Sequence, residues 1–309
     1  MNGKRGAVAA LLPGDVGLLA RLWLNEPDAD LVTLAATRLG LPLADPAELA
    51  AAYTDLFLLN VYPYGTVFTS VNGELNGPEA EHLAALYGAQ GYQPANLTEI
   101  GAPDHLGACL GFAAHLAERA IEPGDFAAYL VEWGPVCCLA VEREPYAHHF
   151  YQAVAEVTGQ WLLGNYAWAT RTPQGHELPP ITLGTVSDTA PDETSLRDVV
   201  RFFLAPARCG VFLSRARLGH LAKGFGIRLP FGSRFEVAET LFLSAGEAGQ
   251  IVRLLTVLNA EIMVWRSEYM RWGEAQPDWK PDAELWLART SKALEQLAEM
   301  QSLVQDNEA

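Results

Sequence analysis

The sequence predicts an all-α protein, a helical bundle of about a dozen helices, and three observations support this prediction. Apolar residues recur at spacings of three and four through successive segments, which is the period of a helix with one buried face. Proline, glycine and aspartate separate these segments, as turn residues do. No stretch offers the repeated alternation of apolar and polar residues that several neighbouring strands would need.

The first half of the chain contains seven predicted helices, most of them bounded by turn residues. Gly40 ends the second helix, and Asp45 with Pro46 opens the third. Gly134-Pro135 should kink or split the sixth helix, because proline cannot donate to the helical ladder. In chain order the predicted helices cover residues 14–25, 28–40, 45–60, 78–91, 103–120 and 125–141, and the seventh extends from 145 past 162.

Two segments lack a helical period, and the longer one divides the predicted domains. Residues 62–73 are rich in aromatic, glycine and β-branched residues and are predicted to form an ordered loop. Residues 173–191 contain mainly turn-forming and polar residues, which predicts a linker. A first helical domain would then cover 1–172. A C-terminal helical extension or subdomain would cover 192–309, with helices at 192–204, 207–222, 234–244, 247–271 and 281–304.

Composition excludes several classes of protein. Half of the 309 residues are hydrophobic, so the chain can bury a sizeable core. A formal net charge of −16 disfavours non-specific nucleic-acid binding and favours a cationic partner. The four cysteines form no CxxC pair and are predicted to be reduced, buried thiols of a cytoplasmic protein. The apolar run at 7–12 is too short for a signal peptide, and no run approaches the ~20 residues that membrane insertion requires.

One segment of this acidic chain is basic. Between residues 197 and 235 there are eight basic residues and one acid, about +7, which leaves about −23 for the rest. Two interpretations are open. The segment docks on the acidic first part of the chain, or it forms an anion-binding site for a phosphate or an acidic peptide. The candidate anion-binding residues are Arg208, Arg215, Arg217 and Lys223.

The motifs that would indicate catalysis are missing from the sequence. No phosphate-binding loop, dinucleotide-binding glycine motif or GxSxG nucleophile motif occurs. Cys137-Cys138 and His148-His149 are adjacent pairs, and neighbours on a helix point about 100° apart, which makes them poor metal chelates. The sequence therefore favours a binding protein over a catalyst and predicts no metal site.

The most informative stretch of the chain is residues 103–116, where a polar turn leads into an apolar helix. Pro103 suits a first helical turn, and Asp104 beside it is favoured by the positive end of the helix dipole. His105 follows directly, so a carboxylate and an imidazole lie together at the mouth of a buried helix. Two interpretations are open: a capped core helix whose polar residues face solvent, or a ligand-facing site.

Four motifs in this order resemble the TorD/DmsD/NarJ family of redox-enzyme maturation chaperones over about residues 45–170. The most specific is the stretch just described, with its polar Pro-Asp-His entry and apolar continuation. Cys109 and Gly111 depart from the family's pattern, which often has acidic residues there. The matching residues are Tyr53-x-x-Leu56-Phe57 followed by Pro63–Phe68, then Pro103-Asp104-His105 with Leu110-x-Phe112-x-x-x-Leu116, Glu132-Trp133-x-Pro135, and Phe150-Tyr151.

The resemblance implies a cytoplasmic, cofactor-free, TorD-like chaperone for a molybdenum-containing oxidoreductase. It would bind the precursor's twin-arginine signal peptide or the apoenzyme until the metal cofactor is inserted, with homodimer formation left open. The peptide-binding residues would be Asp104 as carboxylate, Pro103 and His105 beside it, and Tyr64, Phe68 and Trp133 as apolar wall. Two alternatives remain: a helical protein that binds a nucleotide or phosphate-bearing ligand, and a structural subunit of an oxidoreductase complex.

Overall fold

The computed structural model describes residues 11–71, 78–95, 101–164 and 195–308. Within these ranges the chain is helical, without any strand, and one isolated antiparallel bridge joins Tyr64 and His105. The predicted all-α class is confirmed. The predicted linker at 173–191 lies outside the described residues, so the predicted domain boundaries stay a prediction.

The helices begin and end at residues with clear local signals. Asp28 accepts a hydrogen bond from the Leu31 N–H at 2.7 Å, and Asp45 accepts one from the Ala47 N–H at 2.9 Å. Gly40 ends its helix with a φ of 68°, a left-handed conformation that glycine adopts readily. The helices are α1 (Pro13–Leu24), α2 (Ala29–Leu39), α3 (Pro46–Tyr53, continued by a π-helical turn at Thr54–Leu58), α4 (Gly65–Thr69), α5 (Pro78–Ala89), α6 (Leu106–Glu118), α7 (Asp125–Glu142), α8 (His149–Gly164), α9 (Leu196–Leu204), α10 (Pro206–Cys209), α11 (Arg215–Gly224), α12 (Arg234–Glu247), α13 (Ile251–Ala275) and α14 (Lys280–Glu308).

These residues form two compact units. The first contains residues 11–66, 78–95, 101–143 and 147–164 of the described chain. The second contains 67–71, 144–146 and 195–308. Each unit buries its own set of large apolar side chains, as a compact unit must to offset the conformational entropy lost on folding.

Glycine allows α1 and α6 to pack closely in the first unit. A β-carbon on Gly107 would lie 2.6 Å from the Leu24 Cγ and 2.8 Å from the Ala20 carbonyl oxygen. Further along the same pair of helices, a β-carbon on Gly17 would lie 3.9 Å from the Ala114 Cβ, an ordinary contact. The start of α6 is therefore held against the end of α1 at a distance that only glycine permits.

Helix α7 runs without interruption through Pro135, although the sequence predicts a kink or a break there. Nearly all of its residues from Phe126 to Val141 are buried, so packing on every side compensates for the hydrogen bond that proline cannot make. Cys137 and Cys138 lie on this helix, and like the other two cysteines they are buried and free. The prediction of reduced, buried thiols is confirmed.

The second unit is built around the pairing of α13 with α14. Its core contains Trp265, Tyr269, Trp272, Trp279 and Trp286, and the Tyr269 ring lies 5.8 Å from the Trp286 ring. The Tyr269 hydroxyl donates to the Gly210 carbonyl at 2.6 Å, so it is satisfied inside this core. Neither of these long helices, nor any other helix in the described part of the chain, is apolar enough over sufficient length to cross a membrane.

Several predicted element boundaries are wrong. The helix predicted from Pro103 begins at Leu106, and the one predicted from Pro145 begins at His149. The predicted loop at 62–73 contains α4, and the helix predicted at 207–222 is divided into α10 and α11. Each error lies beside a proline or glycine where tertiary contacts, described next for residue 103, decide the backbone path.

Candidate functional site

In the first unit, backbone hydrogen bonds join the turn before α4 to the turn before α6. The Leu106 N–H donates to the Pro63 carbonyl at 2.7 Å, and the Gly65 N–H donates to the Asp104 carbonyl at 3.0 Å. These bonds hold the turn at Pro103 and Asp104, and the extended residue His105 after it, beside the residues before α4. Pro103 therefore precedes the helix instead of starting it, because its backbone is shared with a neighbouring segment.

Asp104 lies inside the protein and fixes the beginning of α4. Its side chain has no exposed surface, and its Oδ2 accepts the Thr66 N–H and the Thr66 hydroxyl, each at 2.8 Å. Its Oδ1 has no hydrogen-bond partner among the described residues. Burial raises the pKa of the Asp104 carboxyl, the two Thr66 bonds oppose that rise, and nearby Glu79 adds to it. Of the two interpretations left open for this stretch, the one in which Asp104 faces solvent is wrong.

His105 caps α6 through its side chain. The Gly107 N–H donates to the His105 Nδ1 at 3.1 Å, which requires a neutral ring that keeps its proton on Nε2. The ring lies edge-on to the Tyr64 ring, with centroids 5.0 Å apart. Burial lowers the pKa of His105 from 6.5 to about 3. His105 is thus a neutral capping residue at neutral pH, and Tyr64 covers it.

His105→Asn should flatten the pH dependence of stability on the acid side. Below pH 6.5 the unfolded chain binds a proton on His105. In the folded chain His105 stays unprotonated until the pH falls to about 3, because its pKa is lowered. The wild-type stability therefore falls by as much as ~1.4 kcal/mol per pH unit over this window. Asparagine keeps a capping acceptor but does not titrate. Urea unfolding at several pH values between neutrality and pH 4 measures the difference, and parallel profiles for the two proteins would contradict this role.

Tyr64 and His105 line a cleft of about 440 Å³ in the first unit. About half of its lining surface is apolar and half is polar, and Leu58 is 58% exposed at its edge. The exposed carboxylate of Glu26 lies at the rim, where it accepts a bond from the Thr54 hydroxyl at 3.5 Å. The other lining residues are Leu24, Asn25, Tyr53, Phe57 and Pro63.

The π-helical turn Thr54–Leu58 shapes one side of this cleft. A π-helical turn holds more residues than an α-helical turn, and such turns occur frequently at functional sites. Here Phe57 is buried at 3% exposure while the next residue, Leu58, remains exposed beside the opening. The turn thus places an apolar side chain next to the Glu26 carboxylate, an arrangement suited to a ligand with both cationic and apolar parts.

Acidic residues dominate the sequence around the cleft. Residues 1–194 contain 7 Lys and Arg against 23 Asp and Glu, so they account for the whole net charge of −16. Asp28, Asp30 and Asp55, close in sequence to the lining residues, are exposed. A surface of this sign attracts cationic ligands and repels anionic ones.

The structure separates the six predicted peptide-binding residues into two groups. Tyr64 and His105 line the cleft, and the half-buried Pro103 accepts a bond from the Tyr87 hydroxyl at 2.9 Å. Asp104, Phe68 and Trp133 are fully buried and offer no exposed surface. The peptide-binding roles themselves stay predictions.

Sequence reasoning missed Glu26, Leu24, Phe57 and Leu58 as cleft residues. The first two lie where α1 ends, Phe57 was noted as part of a family motif, and Leu58 was not singled out. The acidic Asn25-Glu26-Pro27-Asp28 turn was visible in the sequence as a signal. What the sequence does not contain is that this turn packs beside Tyr64, about forty residues away along the chain.

The four candidate anion-binding residues already have partners within the second unit. The Arg208 Nε donates to the Val71 carbonyl at 2.8 Å, and Arg217 forms an ion pair with Glu261. Arg215 lies over the Phe231 ring at 5.0 Å, and Lys223 donates to the Tyr146 hydroxyl at 3.1 Å. An anion site at these residues stays a prediction, and it would have to compete with these contacts. No group of three or more metal-ligating side chains occurs among the described residues.

Comparison with known protein families gives one match. Residues 24–133 match the family model described as nitrate reductase delta subunit. The matched segment begins at Leu24 in the cleft wall and ends at Trp133 in α7, and it contains every residue that lines the cleft. No curated protein and no solved structure matches the chain significantly.

Proposed function

Since residues 24–133 belong to the nitrate reductase delta subunit family, a NarJ/TorD-like family of redox-enzyme maturation chaperones, we propose that the cleft binds a client's twin-arginine signal peptide. The client is the precursor of a molybdenum oxidoreductase. Binding holds the precursor in the cytoplasm until its cofactor is inserted. The protein acts by binding alone, without catalytic turnover.

The observation that carries this proposal is that one cleft combines apolar side chains with an exposed carboxylate at its rim. A twin-arginine signal peptide contains two guanidinium groups followed by an apolar stretch. The exposed Glu26 carboxylate can accept charge-assisted hydrogen bonds from a guanidinium. Leu58 and the half-buried Tyr64 offer apolar surface beside it. Asp104 acts indirectly, because it holds the turn that carries Tyr64.

Glu26→Gln should weaken the binding of a synthetic twin-arginine signal peptide by about two- to fivefold. An exposed charge pair contributes about 1 kcal/mol or less, and glutamine keeps the shape while removing the charge. Isothermal titration calorimetry at low and at moderate salt measures the effect. The difference between the variants should shrink as salt rises, since exposed pairs are screened.

Two controls make this titration specific. Glu118→Gln removes a comparable exposed carboxylate at the other end of α6, about 20 Å along the helix from His105, and should leave the affinity unchanged. A peptide with both arginines replaced by glutamine should bind weakly to every variant. Equal losses for Glu26→Gln and Glu118→Gln would indicate attraction by net charge alone. The absence of any binding heat at low salt would overturn the peptide proposal.

A further inference from the structure

The loop between α11 and α12 presents apolar side chains to solvent. Phe231 is 92% exposed, the most exposed of the large hydrophobic side chains reported for the described residues. Pro230 beside it is exposed, and Ile227 and Leu229 are partly exposed. The Gly226 φ of 67° helps the backbone turn away from α11. These side chains lie together on one loop, and a contiguous exposed apolar surface is typical of a contact site for a protein or a membrane.

Cations surround this loop. Lys223, Arg228 and Arg253 are exposed, and Arg215 lies over the Phe231 ring at 5.0 Å. Arg253 lies over the Phe225 ring at 4.8 Å, at the other end of the loop. Arg215 and Lys223 are eight residues apart on α11, about 12 Å along its axis. The loop and one side of α11 thus form a surface with an apolar tip and several positive charges, which we call the Phe231 patch.

Acidic side chains near the Phe231 patch already have partners. No Asp or Glu occurs from residue 199 to residue 235. The first one, Glu236, accepts the Ser233 N–H at 2.7 Å and the Ser233 hydroxyl at 2.9 Å, so it caps α12. Glu261 forms its ion pair with Arg217. Glu236 still carries its negative charge, but the four basic residues of the patch outnumber it, so the patch is net positive although the chain as a whole is acidic.

We propose that the Phe231 patch docks the protein peripherally on an anionic lipid bilayer. Aromatic side chains partition into the boundary between headgroups and acyl chains, and exposed arginine and lysine pair with anionic headgroups. A fluid bilayer accepts a protruding tip without a matching pocket, whereas a folded protein partner would need one. The net negative charge of the chain does not prevent this contact, because charges beyond about 8 Å are screened at physiological salt.

The experiment is co-sedimentation of the full chain with vesicles. Binding is expected to vesicles of phosphatidylglycerol and phosphatidylcholine in equal parts, and not to phosphatidylcholine alone. Phe231→Ser and the double variant Lys223→Gln/Arg228→Gln should each reduce bound protein at least about tenfold. Added salt should also weaken binding, since the attraction to the bilayer is electrostatic.

Matched controls use exposed residues of the second unit outside the patch. Leu243→Ser changes a side chain that is 49% exposed, and Arg197→Gln/Lys280→Gln changes two that are 69% and 66% exposed. These variants should bind like the wild type. Soluble glycerol phosphate should not compete, which separates a bilayer surface from a free phosphate site.

Three outcomes would overturn the proposal. The first is no binding to anionic vesicles at low salt. The second is equal binding to neutral vesicles. The third is equal loss in the control and patch variants. Retained folding of Phe231→Ser, checked by circular dichroism, is expected because the side chain is almost fully exposed. None of these results bears on peptide binding at the cleft, so the two proposals fail independently.

Discussion

Gly107→Ala should lower the free energy of unfolding by about 2–4 kcal/mol. The new methyl group would lie 2.6 Å from the Leu24 Cγ and 2.8 Å from the Ala20 carbonyl oxygen. Leu24 can turn aside, but a backbone oxygen cannot, so α1 and α6 must separate. Overpacking of this kind typically costs about 1–3 kcal/mol and occasionally more. Urea unfolding followed by circular dichroism gives the value directly.

Gly17→Ala is the matched control for this prediction. It changes the same residue type on the same pair of helices, but its methyl group would meet the Ala114 Cβ at 3.9 Å. Alanine should therefore stabilise the protein by about 0.5–1 kcal/mol through its higher helix propensity. A similar loss of stability in both variants would contradict the close approach at Gly107. Since Leu24 lines the cleft, Gly107→Ala should also weaken peptide binding, whereas Gly17→Ala should not.

Asp104→Ala should be the most damaging change at the candidate site, with a loss of about 2–4 kcal/mol in stability. It leaves the Thr66 N–H and hydroxyl without an acceptor, and Thr66 has no exposed surface. The turn that carries Tyr64 loses its anchor, so peptide binding should fall with it. Differential scanning calorimetry and titration with the signal peptide measure the two effects on the same samples.

Asp104→Asn separates the hydrogen bonds from the charge. The amide oxygen can still accept from Thr66, and the amide nitrogen replaces Oδ1, which has no partner among the described residues. We expect a change within about 1 kcal/mol at neutral pH. Loss of stability equal to that of Asp104→Ala would show that the ionised carboxylate itself is required.

The wild type and Asp104→Asn should also differ in how their stability depends on pH, and the sign of the difference follows from the pKa of Asp104. The pKa of Asp104 is raised in the folded state, so the folded chain holds this proton more tightly than the unfolded chain does. The stability that the folded chain gains from this tighter proton binding is fully present below the ordinary pKa of 3.8. It is lost as the pH rises through the raised pKa of the folded state. Asp104→Asn removes this loss. Its stability relative to the wild type should therefore increase from acid to neutral pH, which is opposite in sign to the effect of His105.

Local sequence signals were sufficient for most of the helices. The start at Pro46 follows from proline in the first turn after a capping aspartate, and the end at Gly40 follows from a glycine in left-handed conformation. The order of motifs from Tyr53 to Tyr151 also indicated the family that the match to residues 24–133 supports. These features depend on residues close in sequence, which is why periodicity and motif spacing could identify them.

Contacts between distant segments determine the backbone path and the burial of the residues around Asp104. Pro103-Asp104-His105 has the local chemistry of a helix start, yet backbone bonds to Pro63 and Gly65 hold it as a turn before the helix. Asp104 and Trp133 were expected to face a peptide and are buried, because their partners lie in segments far away along the chain. Glu26 and Leu58 became cleft residues for the same reason.

The sequence by itself determined the helical class, the acidic first part and the position of the Pro-Asp-His stretch before a buried helix. Only the tertiary structure decided that His105 caps that helix while Asp104 turns inward to Thr66, and that Tyr64 closes over them at the edge of the cleft. The physical reason is that a short polar side chain takes whichever backbone donor packing places within reach. That choice depends on contacts between segments tens of residues apart.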